Sequence, residues 1–389
     1  MFGERSIPLF HVFGIRIGAN PSWFLFLFLM IYWLSGYFAK ILVGYSSNVS
    51  FAVAVTATVL FFASLLLHEL GHALAARRQG IATVGIDLWL LGGVAKLSRD
   101  SNTPGEEFKV AAAGPAVTAL IVALCFGLAA LTSQDASLIN VTTGKVIASS
   151  PLIALIGWLG IVNVALLLFN LVPAFPLDGG RIARAVAWKV TGSKGQGTRL
   201  ASYLGQLFGS VLIMLGILAL VRGDLISGLW LVILGWFLLS AARSAIISSR
   251  FMEQLEGITA GDLMDAEPIS IPSSATVIEA NQQFFSRYHW PWFAVVDQLG
   301  HLEGILTAEK VNQQLATDLG QEMTISELVD PLLDNDAAVS PQMPLEILLS
   351  TEAIRLFGAV LVTDNDNRLL GIITLQRIQQ ALTAAQTKT

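Results

Sequence analysis

Charge is what this chain most lacks. Of its 389 residues only 13% are Asp, Glu, Lys or Arg, 54% are hydrophobic, and the mean hydropathy is +0.66. Ordinary soluble domains carry about 25% charged residues, so that class is excluded and the composition is that of a membrane protein. Basic runs and basic–aromatic patches are missing too, which excludes nucleic acid as a partner. The net charge of −5 sums two unlike halves and decides nothing. There is one cysteine, Cys125, so no internal disulfide can form. It lies in an apolar stretch and is expected to pack rather than react. Histidine is also scarce, with five in the chain, and this limits which side chains can hold a metal.

Six apolar stretches are long enough to cross a bilayer: about 23–43, 52–76, 108–131, 152–172, 200–221 and 225–242. The first is too long for a signal-peptide core and no small-residue cleavage site follows it. Lys40, near its far end, can snorkel to the interface. Lys and Arg gather on one side. Arg5 and Arg16 precede the first stretch, and Arg77, Arg78, Lys96, Arg99 and Lys109 separate the second from the third. Arg181, Arg184, Lys189, Lys194 and Arg199 separate the fourth from the fifth, and Arg243 and Arg250 follow the sixth. The other side holds little beyond Lys145 and Arg222. Six spans with both termini cytoplasmic satisfy the positive-inside rule. The expectation is a polytopic α-helical membrane domain over 1–250, its core at about 52–190, set in a lipid bilayer taken to be the cell (plasma) membrane.

After Arg250 the composition becomes that of a soluble protein, with short β-like runs alternating with helical ones. An internal repeat is visible. Phe293-Ala-Val-Val-Asp297 precedes Gly304-Ile-Leu-Thr307, and Ala359-Val-Leu-Val-Thr-Asp364 precedes Gly371-Ile-Ile-Thr374, with seven residues from Asp to Gly each time. The copies also open alike, as Asp262-Leu-Met-Asp265 and Glu327-Leu-Val-Asp330. A tandem α/β domain is expected at 251–389, with copies at about 257–318 and 322–385, each burying a face against its sister.

What the membrane half does contain is His68-Glu69-Leu-Gly-His72, the HExxH pattern, inside the second stretch. Histidines four apart lie on one helix face, about one turn apart, and can grip one ion. Glu69 is rotated by about 100° from His68. It is off the metal yet near a metal-bound water, whose proton a carboxylate can take and pass to a leaving amine. HExxH fixes only three positions and occurs in soluble helices without zinc, but an ionisable cluster at membrane depth is costly and points to function. Gly71 and Ala73 would admit a close neighbouring helix.

A catalytic zinc site needs a third protein ligand. His11 precedes the spans and His289 and His301 lie in the soluble half, so a carboxylate must serve. The best candidate is Asp178, in Asn170-Leu-Val-Pro-Ala-Phe-Pro-Leu-Asp178-Gly-Gly-Arg181, where Pro173 and Pro176 break the fourth span. Its alternative is to N-cap the helix that follows, at 179–190. Asn163 and Asn170 are two turns apart on one face. Asn170 either hydrogen-bonds a developing oxyanion or bridges helices. Gly92 and Gly93, flanked by β-compatible residues, suggest a hairpin or edge strand that pairs with an unwound substrate, or else an ordinary loop. Ala113-Gly114-Pro115 suggests a close helix contact or bend, without chemistry.

Together these residues resemble the site-2 protease family of intramembrane zinc metalloproteases. The likeness rests on His68-Glu-Leu-Gly-His72, Leu91-Gly-Gly93, Ala113-Gly-Pro115 and the run from Asn170 to Gly180. It implies one Zn²⁺ held by His68, His72 and Asp178, with Glu69 activating water. It also implies a catalytic or substrate-holding Asn170 and a peptide-positioning strand at Gly92 and Gly93. The substrate implied is a transmembrane segment of another protein. The C-terminal repeat resembles a pair of cystathionine-β-synthase-type (CBS) domains, many of which bind adenine nucleotides through a Thr-x-x-Asp ribose motif. Here the copies read Thr307-Ala-Glu-Lys310 and Thr374-Leu-Gln-Arg377, a cation replacing the aspartate in both. Nucleotide binding at Thr307 and Thr374 therefore stands beside a structural or dimerising role, with a homodimer through the pair.

Two other classes compete. A metal transporter or sensor also places histidines and carboxylates at membrane depth, but would want ligands at several depths and an inverted repeat. An adenine-nucleotide-sensing protein with a vestigial protease half would not need the intact ligand set.

Overall fold

The computed structural model describes residues 6–89, 92–132, 150–255, 257–317, 322–329, 338–349 and 351–387. Arg5, Leu91, Lys145 and Asp330 lie outside them. The chain divides into two compact units, Met1–Ser249 and Arg250–Thr389.

The first unit opens with a feature the hydropathy pattern does not show. Strands β1 (Ile7–Val12) and β2 (Ile15–Ala19) form a hairpin joined by Phe13 (φ 51°) and Gly14 (φ 79°). Two successive left-handed residues are the geometry that matches strand twist in a two-residue loop. After the first two long helices, α1 (Pro21–Ile41) and α2 (Ser47–Arg78), the chain forms β3 (Thr83–Trp89) and β4 (Gly92–Leu97). β2 pairs with β3 in parallel and β3 with β4 antiparallel. The order β1-β2-β3-β4 leaves β1 and β4 as edges.

The remaining described helices that begin in this unit are α3 (Pro104–Thr132), α4 (Pro151–Asn170), α5 (Asp178–Thr191), α6 (Lys194–Val221) and α7 (Leu225–Leu255). Six of the described helices are long and apolar enough to cross a membrane: α1, α2, α3, α4, α6 and α7. Their burial is inverted relative to a soluble bundle. Trp33 is 68% exposed, Val221 80% and Ile226 86%. Apolar side chains spread over the outside need an apolar solvent, and the protein is an integral membrane protein. α2 is the central helix. Its buried residues run from Ser50 to Ala76 and include His68 and His72, whereas those of α1 are Leu34, Phe38 and Ile41.

α4 stops at Asn170, two residues short of the expected end, because Pro173 disfavours helical backbone before it. The chain turns through 171–177, and α5 starts at Asp178 itself, with Leu177 at the N-cap position. Asp178 therefore does not take the capping role, and its carboxylate is free for other partners. α5 is capped by Gly192, whose φ of 75° is the left-handed conformation that glycine takes readily.

The second unit contains two three-stranded sheets of one design. In each, a short strand runs parallel to the middle strand and the third is antiparallel to it: β5 (Ser270–Pro272), β6 (Trp292–Val296) and β7 (Leu302–Thr307), then β8 (Ala338–Val339), β9 (Ala359–Thr363) and β10 (Leu369–Thr374). The equivalent turns clasp each other, Leu302 N donating to Asn367 O and Leu369 N to Gly300 O. A shared core joins the repeats through Trp292, Ala294 and Ile305 with Ala359 and Leu361.

Candidate functional site

Three helices of the first unit bring the candidate ligands together. Nε2 of His68 and Nε2 of His72, one turn apart on α2, are 3.2 Å apart. Oδ2 of Asp178, at the start of α5, lies 3.0 Å from the first and 3.2 Å from the second. Both histidines are buried. Among the described residues this is the one group of three or more His, Cys, Asp or Glu side chains that converge as ligands would.

The outer nitrogens of the rings are engaged as well. Nδ1 of His72 donates to the carbonyl of Val110 at 2.7 Å, and Nδ1 of His68 meets Oγ1 of Thr118 at 2.8 Å. A carbonyl can only accept, so the His72 proton sits on Nδ1 and a neutral ring leaves Nε2 bare. Thr118 reaches back to the Gly114 carbonyl at 3.4 Å, which orients its oxygen to accept from His68. Two bare nitrogens then face a carboxylate oxygen at hydrogen-bond distance. Three acceptors in contact repel unless a cation or a shared proton lies among them. Ligand atoms on a tetrahedral Zn²⁺ lie about 3.3 Å apart, from bonds of about 2.0–2.1 Å. The spacing of 3.0 to 3.2 Å and the donor set of two imidazoles and a carboxylate therefore fit such an ion.

α3 supplies the partners from one face. Val110, Gly114 and Thr118 recur at intervals of four, one helical stripe. A Cβ at Gly114 would overlap Nε2 of His72 and stand 2.8 Å from Nε2 of His68. Gly114 thus makes the close helix contact expected at Ala113-Gly114-Pro115, and makes it against the two imidazoles, keeping open the space their nitrogens face. The sequence held a signal for this, glycine and threonine at i and i+4 on an apolar helix, but small residues at that spacing look the same in a plain helix contact. Gly71 is such a contact: a Cβ there would meet the Ala113 carbonyl at 3.0 Å.

Glu69 packs against β4, close enough to His68, His72 and Asp178 to interact with their charges. A Cβ on Gly93 would come within 2.5 Å of its Cγ, and the Ala95 amide hydrogen-bonds its carboxylate. The hairpin expected around Gly92 and Gly93 is present, and its edge strand lies across the carboxylate. β4 is held in place by Asp87 on β3, which contacts Arg16 of β2 at 2.9 Å and Lys96 of β4 at 2.6 Å. Burial pushes the Asp87 carboxyl up, but Lys96, Ser6 and Arg16 outweigh it and hold the group below its usual range. Asn170 closes α4 and is half-buried; Asn163, two turns earlier, is fully buried and donates to the Leu159 carbonyl.

In the second unit both threonines cap helices. Thr307 accepts from the Lys310 amide at 3.5 Å and Thr374 from the Arg377 amide at 3.3 Å. A cleft of about 410 Å³ is lined by Trp290, Trp292, Phe357, Thr374, Arg377 and Asp265 among others; Thr307 does not line it.

The comparisons with known proteins match this layout. The peptidase family M50 model matches residues 56–216, which include His68, Glu69, His72, Gly114 and Asp178. Sll0528 of Synechocystis sp., whose name marks it as a candidate zinc metalloprotease, is 35% identical over 84% of this chain and 83% of its own length. The chain belongs to peptidase family M50. Rip3 of Mycobacterium tuberculosis, named in the same way, is 32% identical over 95% of this M50 chain and 91% of its own. The solved site-2 protease from Methanocaldococcus jannaschii is 27% identical, covering 62% of the M50 chain and 95% of its own, with a TM-score of 0.42. The CBS domain model matches 260–316 and 326–384, so this M50 peptidase carries tandem CBS domains after its last span.

Proposed function

We propose that this protein is an intramembrane zinc endopeptidase that hydrolyses a peptide bond within a transmembrane segment of another membrane protein. The observation that carries the reading is the convergence of His68, His72 and Asp178 beside Glu69, with the histidines and Glu69 on a helix apolar enough to cross a bilayer. His68, His72 and Asp178 would hold the ion, with Val110 and Thr118 fixing the ring orientations. When bound, zinc polarises a carbonyl and lowers the pKa of a coordinated water.

The chain's own residues do the rest. Glu69 takes a proton at its carboxylate and returns it to the leaving amine. The free edge of β4, with Gly92 and Gly93, pairs with the unwound substrate and holds its backbone beside Glu69. Asn170 donates to the developing oxyanion. A helical substrate hides its carbonyls in hydrogen bonds, so local unwinding precedes cleavage, and an edge strand offers the unwound backbone new partners.

The distribution of Lys and Arg supports an orientation with both termini cytoplasmic, and the membrane proposed is that of the cell. The CBS pair would regulate the peptidase or dimerise it. Its cleft, with aromatic walls and Arg377, suits an adenine nucleotide at Thr374 better than at Thr307.

The deciding experiment is Glu69→Gln, purified in detergent and assayed on a model transmembrane substrate. Cleavage is expected to fall by roughly 10²–10⁴-fold, the usual contribution of a general acid–base group, while zinc stays bound. Undiminished cleavage would remove Glu69 from the mechanism.

A further inference from the structure

α3 and α5 are joined by a buried charge cluster that the chemistry above does not use. Glu107, in the first turn of α3, is 0% exposed. Its Oε1 accepts from Nε of Arg181 at 3.1 Å and from Nη2 of Arg184 at 2.5 Å. Arg184 is itself buried. Both arginines stand on α5, three and six residues after Asp178. On α3, Glu107 is one turn before Val110, whose carbonyl holds His72, and two turns before Gly114. The cluster thus ties the helix that carries the third candidate ligand to the helix that orients the first two.

We propose that Glu107 is a positioning residue. Through Arg181 and Arg184 it sets the height and rotation of α5 on α3, and so brings Oδ2 of Asp178 to Nε2 of both histidines. The proposal rests on the reading of His68, His72 and Asp178 as the metal site. The physical reason is steepness. Apolar helix faces slide past one another at little cost, because one methyl contact replaces another. A buried carboxylate shared by two guanidiniums does not slide, because any shift of α5 leaves buried charge unpaired. Arg forks also fix direction as well as distance. Two points of attachment, three residues apart on α5, set rotation about the helix axis, and Asp178 lies less than one turn from the first.

The test is zinc affinity, measured by chelator competition on the purified full-length protein. Glu107→Gln is expected to weaken zinc binding by about 10–100-fold, as loss of a ligand-orienting partner does. Glu107→Asp, which keeps the charge, should recover part of that loss. Gly216→Ala serves as the stability control, because its Cβ would stand 2.8 Å from the Gly228 carbonyl at the α6–α7 contact. It should lower the thermal midpoint without changing zinc affinity. If Glu107→Gln does not accumulate, Arg184→Gln leaves Arg181 on Glu107 and is expected to weaken zinc binding in the same direction. Affinity within about twofold of wild type, or a loss no larger than that of Gly216→Ala at equal thermal midpoint, would overturn the positioning role. A wild-type protein that held no zinc in the same assay would instead sink the metal-site reading beneath it.

Discussion

Two places in this molecule attract a ligand hypothesis, and they are built in opposite ways. At the first, both histidines are answered from far away in the chain. His68 meets Thr118 and Asp178, His72 meets Val110 and Asp178, and the separations run from 38 to 110 residues. At the second, Thr307 and Thr374 each bond an amide three residues on, in their own helices. Local bonds of that kind appear at the start of countless helices and need no ligand to explain them. Long-range convergence of acceptors on one point is different, because folding gains nothing from it unless a cation or proton is shared there. The contrast shows why one pair of threonines in a family-like motif says less than one histidine pair with an aspartate.

The strongest way to break that contrast is at Gly114. Gly114→Ala puts a methyl where the two nitrogens face each other, and cleavage is expected to fall to background with loss of bound zinc. Metal content measured on the purified variant checks it. An alanine variant that kept full zinc and full activity would mean that the cluster is not the working site. A smaller effect is expected at Thr118. Thr118→Val frees Nδ1 of His68 and should weaken zinc binding by about 10–100-fold, read by chelator competition, with little loss of folding. The smallest is expected at Thr374. Thr374→Ala removes a helix cap and should cost about 1 kcal/mol of stability, visible in thermal unfolding, with zinc binding and cleavage unchanged. If it instead abolished binding of adenosine monophosphate and left stability untouched, Thr374 would be a ligand contact and the contrast between the two sites would narrow.

How much of this was legible from residues alone varied with the range of the interaction. The six spans follow from apolar length, and His68 and His72 from helical spacing, both of them local properties. Asp178 was reachable because histidines were too few and a broken span was conspicuous. Span ends were less legible. α2 starts at Ser47, five residues before the apolar stretch, because a helix continues wherever backbone bonds and an N-cap position permit, polar side chains included. The parts that stayed hidden are those that depend on a distant partner. Gly114 and Thr118 have the spacing of any tight helix contact, and nothing in the sequence sets Glu107 apart from other acids that precede an apolar stretch. The hairpin of β1 and β2 was missed because its partner β3 lies beyond two helices.

That last pairing has a consequence for biosynthesis. Arg16 to Ala19 leave the ribosome early and must wait for Gly85 to Leu88 before the parallel ladder can close. Between them lie α1 and α2, both long and apolar enough to cross a membrane, and both must be made first. The ladder therefore works as a latch on a finished pair of spans. Since β4 pairs with β3, the strand that lies against Glu69 is tied to the N-terminal hairpin only once both helices have been made.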